Sequence, residues 1–214
     1  MSSDRVAAAI VAGGASSRFG GIPKGLEHVG GRRIIDRVFD AVRAVTPDVL
    51  LVSNAPDAES WIDGIRVGSD LRHERGSLIG IHTALATTNC PTLVLAWDMP
   101  FVTSALLSLI VERGTGERFA TIPESASGLE PFCALYMPTC LPTIEMAIDE
   151  GDLRVTSLPN RFPSFTKVLV AAIEQIGDPT QLFFNVNSAA GLAQAERIER
   201  DAGRSPRRGS REYP

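Results

Sequence analysis

Short apolar runs alternate with longer segments of helical spacing along the first two-thirds of the chain. This alternation limits the possible folds more than any other feature. The clearest helical segment is 32–45, and segments 78–88 and 103–113 show the same spacing, with Thr103 where a helix N-cap is expected. The apolar runs have the length of buried strands, and they cover residues 5–11, 48–53, 64–67 and 91–96.

Strand–helix alternation of this kind produces right-handed crossovers between parallel strands. We therefore predict an α/β fold: a single-domain three-layer sandwich over residues 1–200, with helices on both faces of a mostly parallel, Rossmann-like sheet. In such sheets, ligands bind beyond the carboxyl ends of the strands.

The last third of the chain is less regular. Its apolar pattern predicts strands at 132–137 and 165–170 and a further strand that ends within 182–187. The same pattern predicts helices at 141–149 and 189–201. The basic tail 201–214 holds four arginines and hardly any apolar residue, and we expect it to be disordered.

Composition excludes several classes of protein. With 44% hydrophobic and 21% charged residues, the chain is ordinary for a soluble globular enzyme. A net charge of −4 argues against general binding to nucleic acid. No apolar run approaches the length of a membrane helix, and no signal peptide is recognisable. Cys90, Cys133 and Cys140 form no CxxC pair, which indicates reduced packing thiols and a cytoplasmic location.

A glycine-rich loop follows the first predicted strand. Ala12, Gly13 and Gly14 are small enough for backbone N–H groups to approach a phosphate closely, and Arg18 and Lys24 add positive charge. Neither the GxxxxGK[ST] nor the GxGxxG pattern is present. A simple turn between strand and helix would explain one glycine pair, but the added charges favour phosphate binding.

Polar residues follow the other predicted parallel strands. Asp98 ends the run 91–96, where a carboxylate can bind Mg²⁺ together with phosphate oxygens and water. A capping or turn role is the alternative for Asp98, and a turn role for Asn54 and Asp70, which follow two other strands. Asn185 and Asn187 alternate with Val186 and would share one face of a strand, with a turn or helix cap as the alternative.

The opening loop resembles that of the bacterial molybdenum cofactor guanylyltransferases, which runs Leu-Ala-Gly-Gly, then Arg-Met-Gly, then Lys. Val11 replaces the usual Leu and Phe19 the usual Met. The tetrapeptide that begins at Trp97 is similar to the family's Cys-Asp-x-Pro, with Trp in place of Cys.

Three later segments extend the resemblance to about residue 196. Ser77 stands where the family's Gly-Pro-Leu-x-Gly loop has Pro, and a Gly-x-x-Arg motif ends at Arg154. The segment 183–196 resembles the closing motif Phe-x-Asn-x-Asn, in which Asn187 matches an Asn that completes a metal site. Arg154 is by this resemblance a candidate anchor for the anionic cofactor substrate.

The resemblance implies a nucleotide-diphospho-sugar-transferase-like fold and transfer of GMP from GTP to the terminal phosphate of molybdenum-molybdopterin. It implies Mg²⁺ as cofactor, and cofactor-accepting molybdoenzymes or their chaperones as partners, without nucleic acid or membrane. The implied catalytic residues are Arg18, Lys24 and Asp98, and the implied metal ligands are Asp98 and Asn187. The implied GTP contacts are Ala12, Gly13, Gly14, Lys24, Asn54, Asp70 and Asp98.

Other functions remain open at this stage. The nearest is a cytidylyltransferase acting on the same cofactor, or a sugar-phosphate nucleotidyltransferase, because only the base and acceptor pockets would differ. A GTP-binding regulator would usually carry a P-loop, and an inactive scaffold would not need to keep both Lys24 and Asp98. Since a phosphate nucleophile is already ionised, the expected reaction needs no general base.

Overall fold

The structure is a computed structural model that describes residues 5–13, 23–116 and 118–204. Its strands are β1 Ala7–Val11, β2 His28–Val29, β3 Arg32–Arg33, β4 Val49–Val52, β5 Arg66–Gly68, β6 Thr92–Ala96, β7 Ala120–Ser125, β8 Gly128–Leu129, β9 Cys133–Tyr136 and β10 Thr166–Val168. Its helices are α1 Ile34–Arg43, α2 Ser77–Thr88, α3 Ser104–Arg113, α4 Leu141–Asp149, α5 Val170–Ile173, α6 Pro179–Leu182 and α7 Ala189–Arg204.

The main sheet has the strand order β10-β7-β9-β6-β1-β4-β5, with β8 paired to β7. Strands β6, β1, β4 and β5 run parallel, and β10 runs parallel to β7. Strand β9 is antiparallel to both of its neighbours, β6 and β7. The predicted α/β fold with a mostly parallel sheet is therefore confirmed. The strands β2 and β3 form a separate hairpin.

Helices cover both faces of the sheet. In β1, Ala8 and Ile10 belong to one apolar cluster, and the alternating Ala9 and Val11 belong to another. Buried residues of α1, α3 and α7 join the first cluster, and those of α2 and α4 join the second. Because its side chains are buried on both faces, β1 is apolar throughout, as is typical of a central parallel strand.

Several predicted elements are confirmed with small changes at their ends. The Thr103 hydroxyl oxygen accepts a hydrogen bond from the Leu106 N–H at 3.3 Å, which makes Thr103 the N-cap of α3. Helix α1 begins at Ile34 rather than at 32, because Arg32–Arg33 pairs in the hairpin. Helix α7 continues beyond 201 to Arg204, and residues 205–214 lie outside the described residues.

The predicted strand that ends within 182–187 is wrong. Asp178 caps the short helix α6, its carboxylate accepting from the Thr180 N–H at 2.8 Å, and the chain after Leu182 is irregular. Asn185 and Asn187 consequently share no strand face. The amide of Asn185 donates to the Phe183 carbonyl at 2.9 Å, whereas Asn187 contacts another part of the chain.

Two further differences concern strands β10 and β7. The strand predicted at 165–170 is limited to Thr166–Val168, because Val170 begins α5. Strand β7 was not predicted, and Pro123 within it explains why, since proline is unusual inside strands.

Two predictions about composition can be compared with the structure. Cys133 and Cys140 are buried among core residues, in agreement with a packing role, whereas Cys90 is only partly buried. In the described part of the chain, no helix combines the length and apolar character needed to cross a membrane.

Candidate active site

The glycine-rich loop leaves the carboxyl end of β1, in the middle of the sheet. The Ala12 N–H donates to the Val52 carbonyl at the end of β4 (2.8 Å), and the Val11 carbonyl accepts from the Trp97 N–H after β6 (3.3 Å). The three strand ends are therefore tied together where Ala12 and Gly13 begin the loop. Gly14 and Arg18, two further predicted site residues, lie outside the described residues.

Lys24, Asp98 and Asn187 meet at this edge of the sheet. The Lys24 Nζ donates to Asn187 Oδ1 at 2.8 Å and lies 3.7 Å from Asp98 Oδ2. The Val186 N–H donates to the Asp98 carbonyl at 2.9 Å, which brings the segment before α7 against the end of β6. Only 15% of the Lys24 side chain and 10% of the Asp98 side chain are exposed, so this cation and carboxylate are largely withdrawn from solvent.

The helix-capping roles considered for these residues do not match the contacts, while Asp98 does lie in a turn. Helix α3 is capped by Thr103, so Asp98 is not its N-cap. The Ser188 hydroxyl oxygen accepts from the Gly191 N–H at 3.1 Å in the first turn of α7, while the Asn187 amide oxygen is bonded to Lys24. Both side-chain oxygens thus point at one cation rather than at a helix end.

Burial raises the pKa of the Asp98 carboxyl, and the neighbouring Lys24 ammonium and the residue's own backbone N–H oppose that rise. A carboxylate in such surroundings gains from a nearby positive charge, because it has lost much of its hydration. Carboxylate and amide oxygens are hard donors that suit Mg²⁺, which takes its other ligands from phosphates and water. The oxygens of Asp98 and Asn187 converge on a single ammonium, and so they fit a small cation as well.

Asn54 and Asp70 form a second polar group at the same edge. The Asn54 Nδ2 donates to Asp70 Oδ2 at 2.6 Å, and the Asp70 N–H donates to Asn54 Oδ1 at 2.8 Å. The pair joins the loops that follow β4 and β5, and Asn54 is exposed while Asp70 is partly buried. Only one carboxylate oxygen of Asp70, Oδ2, takes part in this pair.

The start of α2 is bonded to the segment that carries Arg154. The Ser77 hydroxyl donates to the Leu153 carbonyl at 3.3 Å and accepts from the Val155 N–H at 3.1 Å. A Cβ at Gly76 would lie 2.4 Å from the Leu153 Cβ, so the two segments are in direct contact. Ser77 therefore replaces the family's proline with a side chain that joins two loops. The Arg154 side chain is 78% exposed and lies 3.2 Å from Asp152.

Some contacts at this edge were not predicted. Neither the Lys24–Asn187 bond nor the two bonds of Ser77 could be inferred from spacing, because they join residues 163, 76 and 78 positions apart. The only signals were the residue types themselves: an amide in a closing motif and a hydroxyl at the start of a helix.

Comparison with known proteins agrees with this arrangement. The family model described as "MobA-like NTP transferase domain" matches residues 8–161. A molybdenum cofactor guanylyltransferase from Desulfosudis oleivorans is 33% identical, over 90% of this chain and 95% of its own. The crystal structure of molybdopterin-guanine dinucleotide biosynthesis protein A from Archaeoglobus fulgidus superposes with a TM-score of 0.78 at 25% identity, covering 91% of this chain and 98% of that one.

A more distant structure shares the fold alone. The 4-diphosphocytidyl-2C-methyl-D-erythritol synthase from Anaerococcus prevotii superposes with a TM-score of 0.65 at 14% identity, over 91% of this chain and 96% of its own. The high coverage and identity of the guanylyltransferase relative, together with the family model, decide the family. The chain belongs to the MobA-like NTP transferases and, within them, to the molybdenum cofactor guanylyltransferases.

Proposed function

We propose that the protein transfers GMP from GTP to the terminal phosphate of molybdenum-molybdopterin, which yields the guanine dinucleotide form of the cofactor and pyrophosphate. The observation that carries this proposal is the convergence of Lys24, Asp98 and Asn187 beside the glycine-rich loop. A phosphate-binding loop, a cation and two oxygen ligands at one sheet edge are the parts that nucleotidyl transfer requires. The family membership supplies the substrate class.

In this reaction an oxygen of the acceptor phosphate bonds to the α-phosphorus of GTP. The bond between the α-phosphorus and the bridging oxygen breaks, and pyrophosphate leaves with the electron pair. The acceptor phosphate is ionised at neutral pH, so no side chain has to remove a proton. Catalysis then depends on alignment of the two phosphates and on neutralisation of their charge.

Lys24 is suited to the second task, since its ammonium is fixed at the end of the glycine-rich loop. The loop residues Ala12, Gly13 and Gly14 would offer backbone N–H groups to the triphosphate, and Arg18 would add a second charge. Asp98 and Asn187 would hold Mg²⁺, which supplies charge neutralisation at phosphate oxygens.

Two peripheral groups would hold the ends of the substrates. Asp70, fixed by Asn54, offers a carboxylate to the donors of a nucleoside, either on the base edge or on the sugar. Arg154 would attract the phosphate of the pterin substrate, since its guanidinium is exposed and its backbone is held by Ser77 through Leu153 and Val155.

The proposal extends to the cellular setting. We place the reaction in the cytoplasm, and we propose that the product passes to molybdoenzymes or to their chaperones. These two points depend on the family resemblance.

Calorimetric titration of the protein with GTP, CTP and ATP in the presence of Mg²⁺ tests the choice of nucleotide. We expect GTP to bind at least about ten times more tightly than the other two, a difference of about 1.4 kcal/mol. The same titrations with EDTA in place of Mg²⁺ are the control for the metal contribution. Equal affinities, or tighter binding of CTP, would contradict guanylyl transfer and would favour the cytidylyl alternative.

A further inference from the structure

The two tryptophans of the chain stack on each other next to the proposed active site. Their ring centroids are 5.2 Å apart and their planes differ by 19°. Both side chains belong to the core, with Trp61 4% exposed and Trp97 5% exposed. Trp97 directly precedes Asp98, so the position of this ring is coupled through one peptide to the proposed metal ligand.

The backbone next to Lys24 lies directly on the ring of Trp97. A Cβ at Gly25 would be 2.4 Å from Cε3, 2.7 Å from Cδ2 and 3.1 Å from Cζ3, all atoms of the six-membered ring. Real side chains do not approach this closely, so glycine at position 25 allows a contact that any other residue would prevent. The ring cannot withdraw easily, because Trp61 is stacked on it.

Trp61 anchors the other end of the same segment. Its carbonyl accepts from Arg33 Nη2 at 2.8 Å, and its indole N–H donates to Asp57 Oδ2 at 3.1 Å. Arg33 is itself fixed by two bonds of 2.7 Å to Asp36 in α1. The tryptophan pair therefore contacts the segment 24–33 twice, at Gly25 through a ring and at Arg33 through a carbonyl.

We propose that Trp97, supported by Trp61, is a positioning residue for Lys24. The ring sets the distance between the backbone at Gly25 and the backbone at Asp98, and this distance determines where the Lys24 ammonium can reach. The inference depends on the proposed function, in which Lys24 neutralises charge on the triphosphate. Displacement of a catalytic group by about 1 Å can reduce a rate by roughly a hundredfold, so such a support affects turnover strongly.

A double-mutant cycle tests whether Trp97 acts through Lys24. Trp97→Phe replaces the indole under Gly25 with a smaller ring, and we expect kcat/KM for GTP to fall at least about tenfold in an otherwise wild-type protein. In a Lys24→Ala background the same substitution should cost less than about twofold, because the group that it positions is already absent. A purely structural role predicts the same factor in both backgrounds.

Two further variants separate positioning from loss of stability. Phe162→Leu disrupts the Phe119–Phe162 stack on the opposite face of the sheet, where the ring centroids are 5.9 Å apart. Turnover should stay within about twofold of wild type when it is measured below the unfolding temperatures of the variant and of the wild-type protein. Gly25→Ala places a methyl group against Trp97 without removing any core atom, and should lower kcat/KM as well. Its effect should shrink in combination with Trp97→Phe. If Trp97→Phe does not fold, Gly25→Ala takes its place in the cycle with Lys24→Ala, and its cost should again fall below about twofold when Lys24 is absent.

Equal losses in the two Lys24 backgrounds, or wild-type turnover of Trp97→Phe and Gly25→Ala, would overturn the positioning role. Failure of the proposed function has a different signature, namely a folded wild-type protein that releases no pyrophosphate from GTP. In that event the same cycle is measured on the Kd of inorganic tripolyphosphate. If Trp97→Phe weakens tripolyphosphate binding when Lys24 is present but not in the Lys24→Ala background, the positioning role is supported. If it weakens binding by the same factor in both backgrounds, the positioning role is refuted.

Discussion

Lys24 joins oxygens that come from two distant parts of the chain, one after β6 and one before α7. Asp98 is buried enough that its ionised form needs a nearby cation, and among the described residues Lys24 contacts it. In the absence of ligand the lysine therefore holds together two residues that we assign to the metal. With GTP bound, we propose that the same ammonium neutralises charge on the phosphates.

Replacement of Lys24 is expected to affect the rate as well as binding. Loss of one preorganised charge contact costs about 3 kcal/mol in the transition state, so Lys24→Ala should lower kcat roughly a hundredfold and weaken GTP binding. Lys24→Arg should recover only part of the loss, because a planar guanidinium does not fit the place of a compact ammonium. Steady-state pyrophosphate release measures both variants.

A matched control for Lys24 is available at the amino-terminal ends of the strands, on the side of the sheet away from the candidate site. Arg66 begins β5, lies 3.4 Å from Asp48 and is 47% exposed, so Arg66→Gln removes one positive charge away from the site. We expect this variant to keep wild-type turnover. Near-normal rates for both Lys24 variants would show that Lys24 is an ordinary loop charge.

Among the secondary-structure elements, α2 has a loop contact that depends on one side chain. The Ser77 hydroxyl links the first turn of α2 to the Leu153 carbonyl and the Val155 N–H, while the Leu78 N–H bonds to the same carbonyl at 3.1 Å. Val155 is 7% exposed, so its N–H has little access to water if the serine oxygen is removed. The serine thus stabilises the junction between α2 and the loop that carries Arg154.

Ser77→Ala is expected to lower the free energy of unfolding by about 1 kcal/mol, because it removes two hydrogen bonds and leaves a backbone donor unpaired. Urea denaturation measures the change. The control is Ser60→Ala, which loses an exposed bond to the Asp57 carbonyl and should cost less than about 0.5 kcal/mol. Indistinguishable midpoints for the two variants would refute the role of Ser77.

Predictability from sequence also differs from element to element. Helices α2 and α3 were predicted within a residue or two of their observed ends, because helical spacing and the Thr103 cap are local signals. The hairpin β2–β3 was not predicted, since two-residue strands carry almost no pattern. The segment after Leu182 was predicted as a strand because it is apolar, but its Val186 is buried against the end of β6 rather than paired in a ladder.

The candidate site was predictable as residue types and not as contacts. Asp98 and Lys24 follow apolar or glycine-rich motifs whose chemistry is visible in the sequence. The bond from Lys24 to Asn187 depends on a tertiary approach across 163 positions, and the contact of Gly25 with Trp97 depends on the shape of one ring. Neither leaves a periodic or local signal.

At the scale of the whole molecule, one residue of the candidate site comes from the C-terminal part of the chain, after the region that the family model matches. That region ends at residue 161, whereas Asn187 and α7 lie beyond it. Glu199 of α7 pairs with Arg37 of α1 at 2.7 Å, and Glu196 accepts from the Gly30 N–H at 3.1 Å. Helix α7 is therefore bonded to α1 and to the turn of the β2–β3 hairpin.

Product formation by the wild-type protein and by Asp98→Asn measures guanylyl transfer itself. With GTP, Mg²⁺ and molybdenum-molybdopterin, the wild-type protein should form guanine dinucleotide and pyrophosphate in equal amounts, and CTP should not replace GTP. Asp98→Asn keeps the shape of the side chain but removes its charge, so it should lose most turnover. We expect its nucleotide-free stability to stay within about 1 kcal/mol of wild type, as for an ordinary substitution without a cavity. Wild-type turnover by a stable Asp98→Asn variant, or dinucleotide formed from CTP in preference to GTP, would contradict this assignment.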